Sequence, residues 1–243
     1  LSIAVDYFDY DVRKQIGQLA TSSILGGCYG SPIYPNTFCD LFDRNPGNHP
    51  TDPFKIETVY NTYINIDQQQ VKGYDLIVNY DNDFSFGKLA VETQLTYTKE
   101  DISQLFDTAE ASGFSTSDRV GEIGRPKLVG NMDVRLERGD WTYYWGVEYI
   151  HGTKNLDLDS TYTYQGWQNA WRDIRADRRF YHNASVRYDL DDWSVLVGVR
   201  NIFDKDPPFV SNGVATRYGN IPAFATQYDL YGRTGFVRVQ YKF

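Results

Sequence analysis

Helical membrane spans are the first thing this 243-residue chain lacks. It contains no run of 18 apolar residues, which excludes a transmembrane helix, and its mean hydropathy is -0.52. Strands that cross a bilayer escape this test, because lipid-facing and interior residues alternate and average to a polar composition. Basic charge is also scarce. A net charge of -8 argues against a nucleic-acid partner, since phosphate contacts require a basic face. The three histidines, His49, His151 and His182, are scattered, so no metal-ligand cluster is expected. Asp157 and Asp159 lack the rest of a calcium loop. No serine elbow, phosphate-cradling glycine loop or paired catalytic carboxylate is present, so neither an enzyme nor a cofactor is expected.

Methionine occurs once and cysteine twice, against 20 tyrosines. Cys28 and Cys39 lie in a Gly/Pro/Asn-rich stretch. A disulfide closing that loop would contribute roughly 2–3 kcal/mol by restricting the unfolded chain, and would imply an oxidising compartment. The alternative is two unrelated thiols in a reducing one. The amino terminus has no basic segment or cleavage site and begins inside a strand pattern, which reads as a piece of a longer secreted protein.

The dominant pattern has period two. Leu89, Val91, Thr93, Leu95 and Tyr97 alternate with Ala90, Glu92, Gln94 and Thr96. The same alternation runs from Leu128 to Glu137, from Trp141 to Tyr149, from Phe180 to Leu190, from Trp193 to Arg200 and from Val237 to Phe243. Such runs are strands with one apolar face. Eight are expected, over about 3–13, 55–80, 87–99, 126–138, 141–151, 179–190, 193–202 and 228–243, with an interruption in the second near Asn65-Ile66-Asp67. Gly139-Asp140 and Asp191-Asp192 read as two-residue hairpin turns, and Asp81 to Gly87 as a longer one. Long polar connections, 14–53, 100–124, 152–178 and 203–226, alternate strictly with these turns. Transmembrane barrels segregate their connections in this way. The expected fold is all-β, an antiparallel up-and-down transmembrane barrel segment. Trp141, Tyr143, Tyr188, Trp193 and Tyr241 fall near the short turns, as an interfacial aromatic girdle would.

Several strings carry a family resemblance. Val199-Arg200-Asn201-Ile202-Phe203-Asp204-Lys205-Asp206-Pro207-Pro208 resembles the end of the penultimate strand of TonB-dependent receptors. Tyr228-Asp229-Leu230-Tyr231-Gly232-Arg233, with Phe236 and Phe243, resembles their last strand. Gln69 to Asp75 resembles a further strand segment, and Cys28 to Cys39 followed by Leu41 to Pro46 resembles an extracellular loop. Tyr241 and Phe243 are similar to the carboxy-terminal signal read by the barrel-assembly machinery, although Arg238 stands where that signal usually has glycine.

The resemblance implies that residues 1–243 are the last third of a 22-stranded barrel whose plug domain lies outside this chain. It implies a Gram-negative outer-membrane location among lipid, coupling to TonB through that plug, and active import of a ferric siderophore, cobalamin or oligosaccharide. Candidate ligand contacts lie in the 152–178 connection: Tyr162, Tyr164, Trp167, Trp171, Arg172 and Arg175. Aromatic faces stack on sugars or catecholates, and arginine pairs with anions. The plain alternative makes Gly166 to Phe180 a short helix whose aromatics merely pack. Two other readings of the whole chain are a free-standing eight-stranded outer-membrane barrel and a secreted carbohydrate-binding β-sandwich.

Overall fold

The computed structural model describes residues 1–61, 63–104, 117–154, 163–164, 167–168, 175–210, 221–222 and 228–242. The chain divides into two compact units. One comprises Leu1–Phe8, Lys72–Lys99 and Arg119–Phe243, and the other Asp9–Val71 and Glu100–Asp118.

Eight long strands follow one another: β1 (Ser2–Gln18), β2 (Tyr63–Phe84), β3 (Gly87–Gln104), β4 (Leu128–Arg138), β5 (Trp141–Ile150), β6 (Arg179–Asp189), β7 (Trp193–Arg200) and β8 (Thr234–Tyr241). Their order in the sheet is their order in sequence, a pure meander. The residue 117–118 pair adds to β3, with Ile102 opposite Asp118. Strand order ends at β1 on one side and β8 on the other, so among the described residues the meander does not close on itself as a free-standing eight-stranded barrel would.

Register explains why the alternation matters. Val91 faces Val134, Val134 faces Trp145, Trp145 faces Ala184, and Ala184 faces Val199. One row further, Leu136, Tyr143, Val186, Val197 and Val237 line up across five strands. A one-residue slip would turn every such side chain over, so the apolar pattern sets the pairing. This face is not buried. Val197 is 50% exposed, Val237 68% and Val239 55%. A soluble sandwich buries its apolar face against a second sheet, so these exposures contradict the sandwich reading. They are those of a sheet that meets lipid.

The opposite face is polar and internally bonded. Tyr144 donates to Asp133 at 2.5 Å, Thr96 to Asp75 at 2.6 Å, and Arg187 to Asp189 at 2.9 Å.

The hairpins carry the aromatics. Arg138 pairs with Trp141 around Gly139-Asp140, with Gly139 at φ +58°, a conformation that glycine adopts without penalty. Leu190 donates to the Trp193 carbonyl around Asp191-Asp192. At this end Trp141 packs on Tyr188 with centroids 4.5 Å apart, and Trp193 on Tyr241 at 4.6 Å.

Element ends depart from expectation in several places, among them the third strand, which runs to Gln104, not 99, so that the connection expected to start at 100 starts later. The first strand runs to Gln18, not 13, so the connection expected to start at 14 starts later. The second strand breaks between Val59 and Tyr63, not at 65–67, and its 56–59 piece pairs instead with Phe42–Arg44. It also continues to Phe84, leaving Ser85-Phe86 as the turn, where Phe84 and Phe86 stack at 5.0 Å. The last strand starts at Thr234, because 228–233 are held by contacts described below. Finally, none of the described residues of 166–180 is helical, against the short-helix alternative. Trp167–Gln168 pairs with Thr163–Tyr164, Arg175–Ala176 pairs with Thr153–Lys154, and β6 begins at Arg179.

The second unit holds a small disulfide-linked fold. Helix α1 (Thr21–Gly30) has no side-chain N-cap and contains three glycines, so its own propensity is poor. Tertiary contacts hold it. Cys28 is joined to Cys39 with Cα atoms 4.8 Å apart. The Phe38 ring lies so close to Gly27 that a Cβ there would sit 2.7 Å from it. Leu19, Ile24, Cys28, Phe38 and Phe42 form the core. Asn36 ties the turn: its amide donates to the Gly27 and Ile33 carbonyls, at 3.1 and 2.9 Å, and its Oδ1 accepts from Phe38 N.

Candidate ligand-binding surfaces at the long-connection end

Where β7 ends, the chain turns back through Asn201, 2% exposed and at φ +47°. Asparagine tolerates this left-handed conformation better than most residues. Its backbone N–H donates to Asn183 Oδ1 at 3.0 Å. Its Nδ2 donates to Asp229 Oδ2 at 2.8 Å and to the Lys205 carbonyl at 3.0 Å, while its Oδ1 accepts from Lys205 N at 2.8 Å. Asp204 Oδ1 accepts from Arg233 N at 2.8 Å, and its carboxylate pairs with the Arg233 guanidinium at 3.7 Å. Asp229 Oδ1 accepts from Tyr231 N at 2.9 Å. Two of the strings that carry the family resemblance, 199–208 and 228–233, are therefore bonded to each other, forming a polar clasp between the end of β7 and the approach to β8.

Beside the clasp lies a hollow of about 540 Å³, within the size range of small-molecule sites. Glu148, Tyr181, Asn183, Arg200, Asp229 and Tyr231 are among its walls. Register puts Tyr181 opposite Glu148 on the polar face. Asn183 donates to Glu148 at 2.9 Å, and the Arg200 guanidinium lies 5.6 Å from the Phe236 ring centroid. Tyr181 is 3% exposed, and its hydroxyl makes no hydrogen bond among the described residues. The hollow thus offers a guanidinium and a phenol as donors and two carboxylates as acceptors. Beneath it Ile150, Ala176, Tyr181, Val210 and Tyr228 form an apolar cluster. Tyr228 shares a hydrogen bond with Thr153 at 3.2 Å, and burial pushes its phenol above the ordinary value of 10.0.

A second, wider hollow of about 770 Å³ lies at the ends of β4, β5 and β6. Among the described residues Lys127, His151, Lys154, Arg175, Arg178 and Arg179 line it, together with Asp177. Arg179 donates to the Asp206 carbonyl at 3.1 Å.

Of the expected ligand contacts, Arg175 lines this basic hollow, directly opposite Lys154. Tyr164 and Trp167 are opposite one another in a two-residue ladder. Tyr162, Trp171 and Arg172 lie outside the described residues, as does Phe243 of the expected assembly signal. Tyr241 is on the apolar face against Trp193. His182, which falls on apolar parity, is accommodated between Trp145 at 5.6 Å and Phe203 at 5.0 Å. Among the described residues no group of three His, Cys, Asp or Glu could hold a metal ion. Lys127, Lys154 and Arg178 escaped the reading of the sequence, because they converge from three strand ends and share no local motif.

A meander with one exposed apolar face, a girdle at its short turns and a bonded polar face is a wall segment of a transmembrane β-barrel. The chain matches the family model described as TonB dependent receptor-like, beta-barrel, over residues 1–202, and it belongs to that family. No curated protein sequence matches it. Among solved structures it is similar to a mutant of the ferric enterobactin receptor PfeA from Pseudomonas aeruginosa, at 16% identity and a TM-score of 0.56, over 99% of this chain and 29% of that one. Another PfeA mutant, in complex with enterobactin, gives 16% identity and a TM-score of 0.58 over 98% and 29%. The siderophore receptor PirA from Acinetobacter baumannii gives 14% and 0.52 over 99% and 29%. At such identities the likeness is one of fold. The chain spans less than a third of the length of these receptors.

Proposed function

We propose that residues 1–243 form the carboxy-terminal part of the barrel of an outer-membrane receptor that imports a ferric siderophore, driven by TonB through a plug domain encoded upstream. Family membership over residues 1–202 carries this reading. It is supported by the exposed apolar face, which fits a Gram-negative outer membrane, and by the fold shared with siderophore receptors. On this reading the long connections face outside. The polar hollow beside Tyr181, with the aromatic and cationic residues Tyr162, Tyr164, Trp167, Trp171 and Arg172 of the 152–178 connection, meets the nutrient. Arg and tyrosine hydroxyls suit an anionic, oxygen-rich chelate. The chain binds and translocates, and no chemistry on the ligand is assigned to it. Tyr241 and Phe243 present the last strand to the barrel-assembly machinery.

The test is uptake of radiolabelled iron as its catecholate, hydroxamate and carboxylate chelates by iron-starved cells with and without the full-length gene. Gene-dependent uptake that also requires TonB is expected for one chelate class. Gene-dependent uptake of cobalamin or an oligosaccharide, with none of iron, would refute the siderophore assignment and leave the receptor reading intact.

A further inference from the structure

We infer that the hollow beside Tyr181 is a seat for a zwitterionic group, an ammonium and a carboxylate on one carbon as at the end of an α-amino acid, and that the nutrient carries such an end. The inference deepens the receptor reading above and rests on it for the side from which the nutrient arrives.

Alternation places the three decisive side chains on the polar face. Tyr181 is directly opposite Glu148. Ala184 pairs with Val199 in the apolar row, so Asn183 and Arg200, each one position further along, point to the other side. Continuing the register by one step puts Arg200 diagonal to Tyr181, about 7 Å away between Cβ atoms. All three line the hollow. Glu148 and Arg200 are exposed, whereas Tyr181 is buried.

Each of the three has bonding capacity that the protein leaves unused. The Tyr181 hydroxyl has no hydrogen-bond partner among the described residues. The Asp229 backbone N–H that faces it can only donate, so the phenolic proton needs an acceptor. Leaving a buried polar group unpaired is costly, and a ligand oxygen removes that cost. The Arg200 guanidinium lies over the Phe236 ring and makes no hydrogen bond or ion pair among the described residues. Glu148 gives Oε1 to Asn183, and its Oε2 accepts nothing among the described residues. Asp229 differs, because its two oxygens accept from Asn201 Nδ2 and Tyr231 N and are held in the clasp.

Charge then selects the occupant. An anion alone would satisfy Arg200 and Tyr181 but would face both Glu148 and Asp229. A cation alone would answer Glu148 and leave Arg200 and the phenolic proton without partners. A neutral amide would leave both charges uncompensated. A group with both signs meets all three side chains. Its carboxylate takes charge-assisted bonds from Arg200 and Tyr181, and its ammonium donates to Glu148 Oε2.

The test uses the full-length receptor in a non-ionic detergent and saturation-transfer NMR with three probes. Alanine carries both charges, N-acetylalanine the negative alone and alaninamide the positive alone. Alanine is expected to bind with a Kd on the order of 1 mM, weak as suits so small a ligand. Each singly charged probe should bind at least about tenfold more weakly, having lost one charge-assisted contact. Arg200→Gln should make alanine and alaninamide bind alike, and Glu148→Gln should make alanine and N-acetylalanine bind alike. A merely structural role would weaken all three probes together. Tyr181→Phe should weaken alanine about fivefold. Heat-modifiable migration shows that each variant has folded. Absence of saturable alanine binding, equal binding of the three probes, or tighter binding of either singly charged probe would overturn the inference. None of these readouts involves iron or TonB, so a failed uptake assay leaves them unaffected, and indifference to charge here leaves siderophore import standing.

Discussion

Replacing Asn201 by alanine tests the clasp most directly. The substitution removes three side-chain hydrogen bonds, two to Lys205 backbone atoms and one to the Asp229 carboxylate. Neutral bonds contribute about 1 kcal/mol each and a carboxylate bond about 2 kcal/mol, so about 4 kcal/mol of local stability is lost. Alanine must also adopt φ +47°, which costs about 1 kcal/mol more than asparagine or glycine in the left-handed region. The readout is hydrogen–deuterium exchange of peptides covering 201–206 and 228–234 in the full-length receptor. A loss of about 4–5 kcal/mol corresponds to a thousandfold or greater fall in protection, up to the limit set by the clasp's own opening energy. Asn201→Gly, which keeps the backbone at ease, should be about fivefold less damaging than Asn201→Ala. A fall of under tenfold in Asn201→Ala, or identical behaviour of the two variants, would refute the argument.

Three further outcomes follow from the same geometry. A side chain at Gly73 would collide with the Tyr97 carbonyl and the Phe8 ring, whereas nothing lies within 4 Å of a Cβ at Gly30. Gly73→Val should therefore abolish most heat-modifiable, folded protein, and Gly30→Ala should leave the yield unchanged. The Cys28→Ala/Cys39→Ala pair reopens a loop with a sequence separation of 11, which removes about 3 kcal/mol; residues 19–60 should become protease-sensitive, and equal resistance would count against a stabilising disulfide. The Tyr228 phenol is raised by burial, so its contribution is complete below the unfolded value of about 10 and lost as pH climbs through the higher folded one. Protection factors around Thr153 and Ala176, corrected for the base-catalysed rise of intrinsic exchange, should fall above about pH 10 in wild type and not in Tyr228→Phe.

The meander was legible because each strand shows its two faces to different surroundings. Leu89 to Tyr97 and Trp141 to Tyr149 alternate without a break, and Gly139-Asp140 and Asp191-Asp192 punctuate them. What the sequence hid depends on contacts between distant segments. Helix α1 has no side-chain cap and three glycines, and it stands on Phe38 and the Cys28–Cys39 link. The late start of β8 follows from Asp229 and Arg233 being held by Asn201 and Asp204. The candidate ligand residues were legible by type only. Arg175 looked like a neighbour of Trp171 and Arg172 along the chain, but its partner across the strands is Lys154, 21 positions earlier.

The clasp also bears on how such a receptor can change. Asn201 and Asp204 grip Asp229 and Arg233 directly, so the 24 positions between those two pairs are anchored at both ends. Apart from Lys205, Asp206, Val210 and Tyr228, which are themselves held, that stretch can lengthen, shorten or exchange its side chains while Arg200 stays opposite Thr234. Variation in the outer connection is thereby insulated from the pairing of the final strand, and a new ligand preference can arise there without disturbing the wall that carries it.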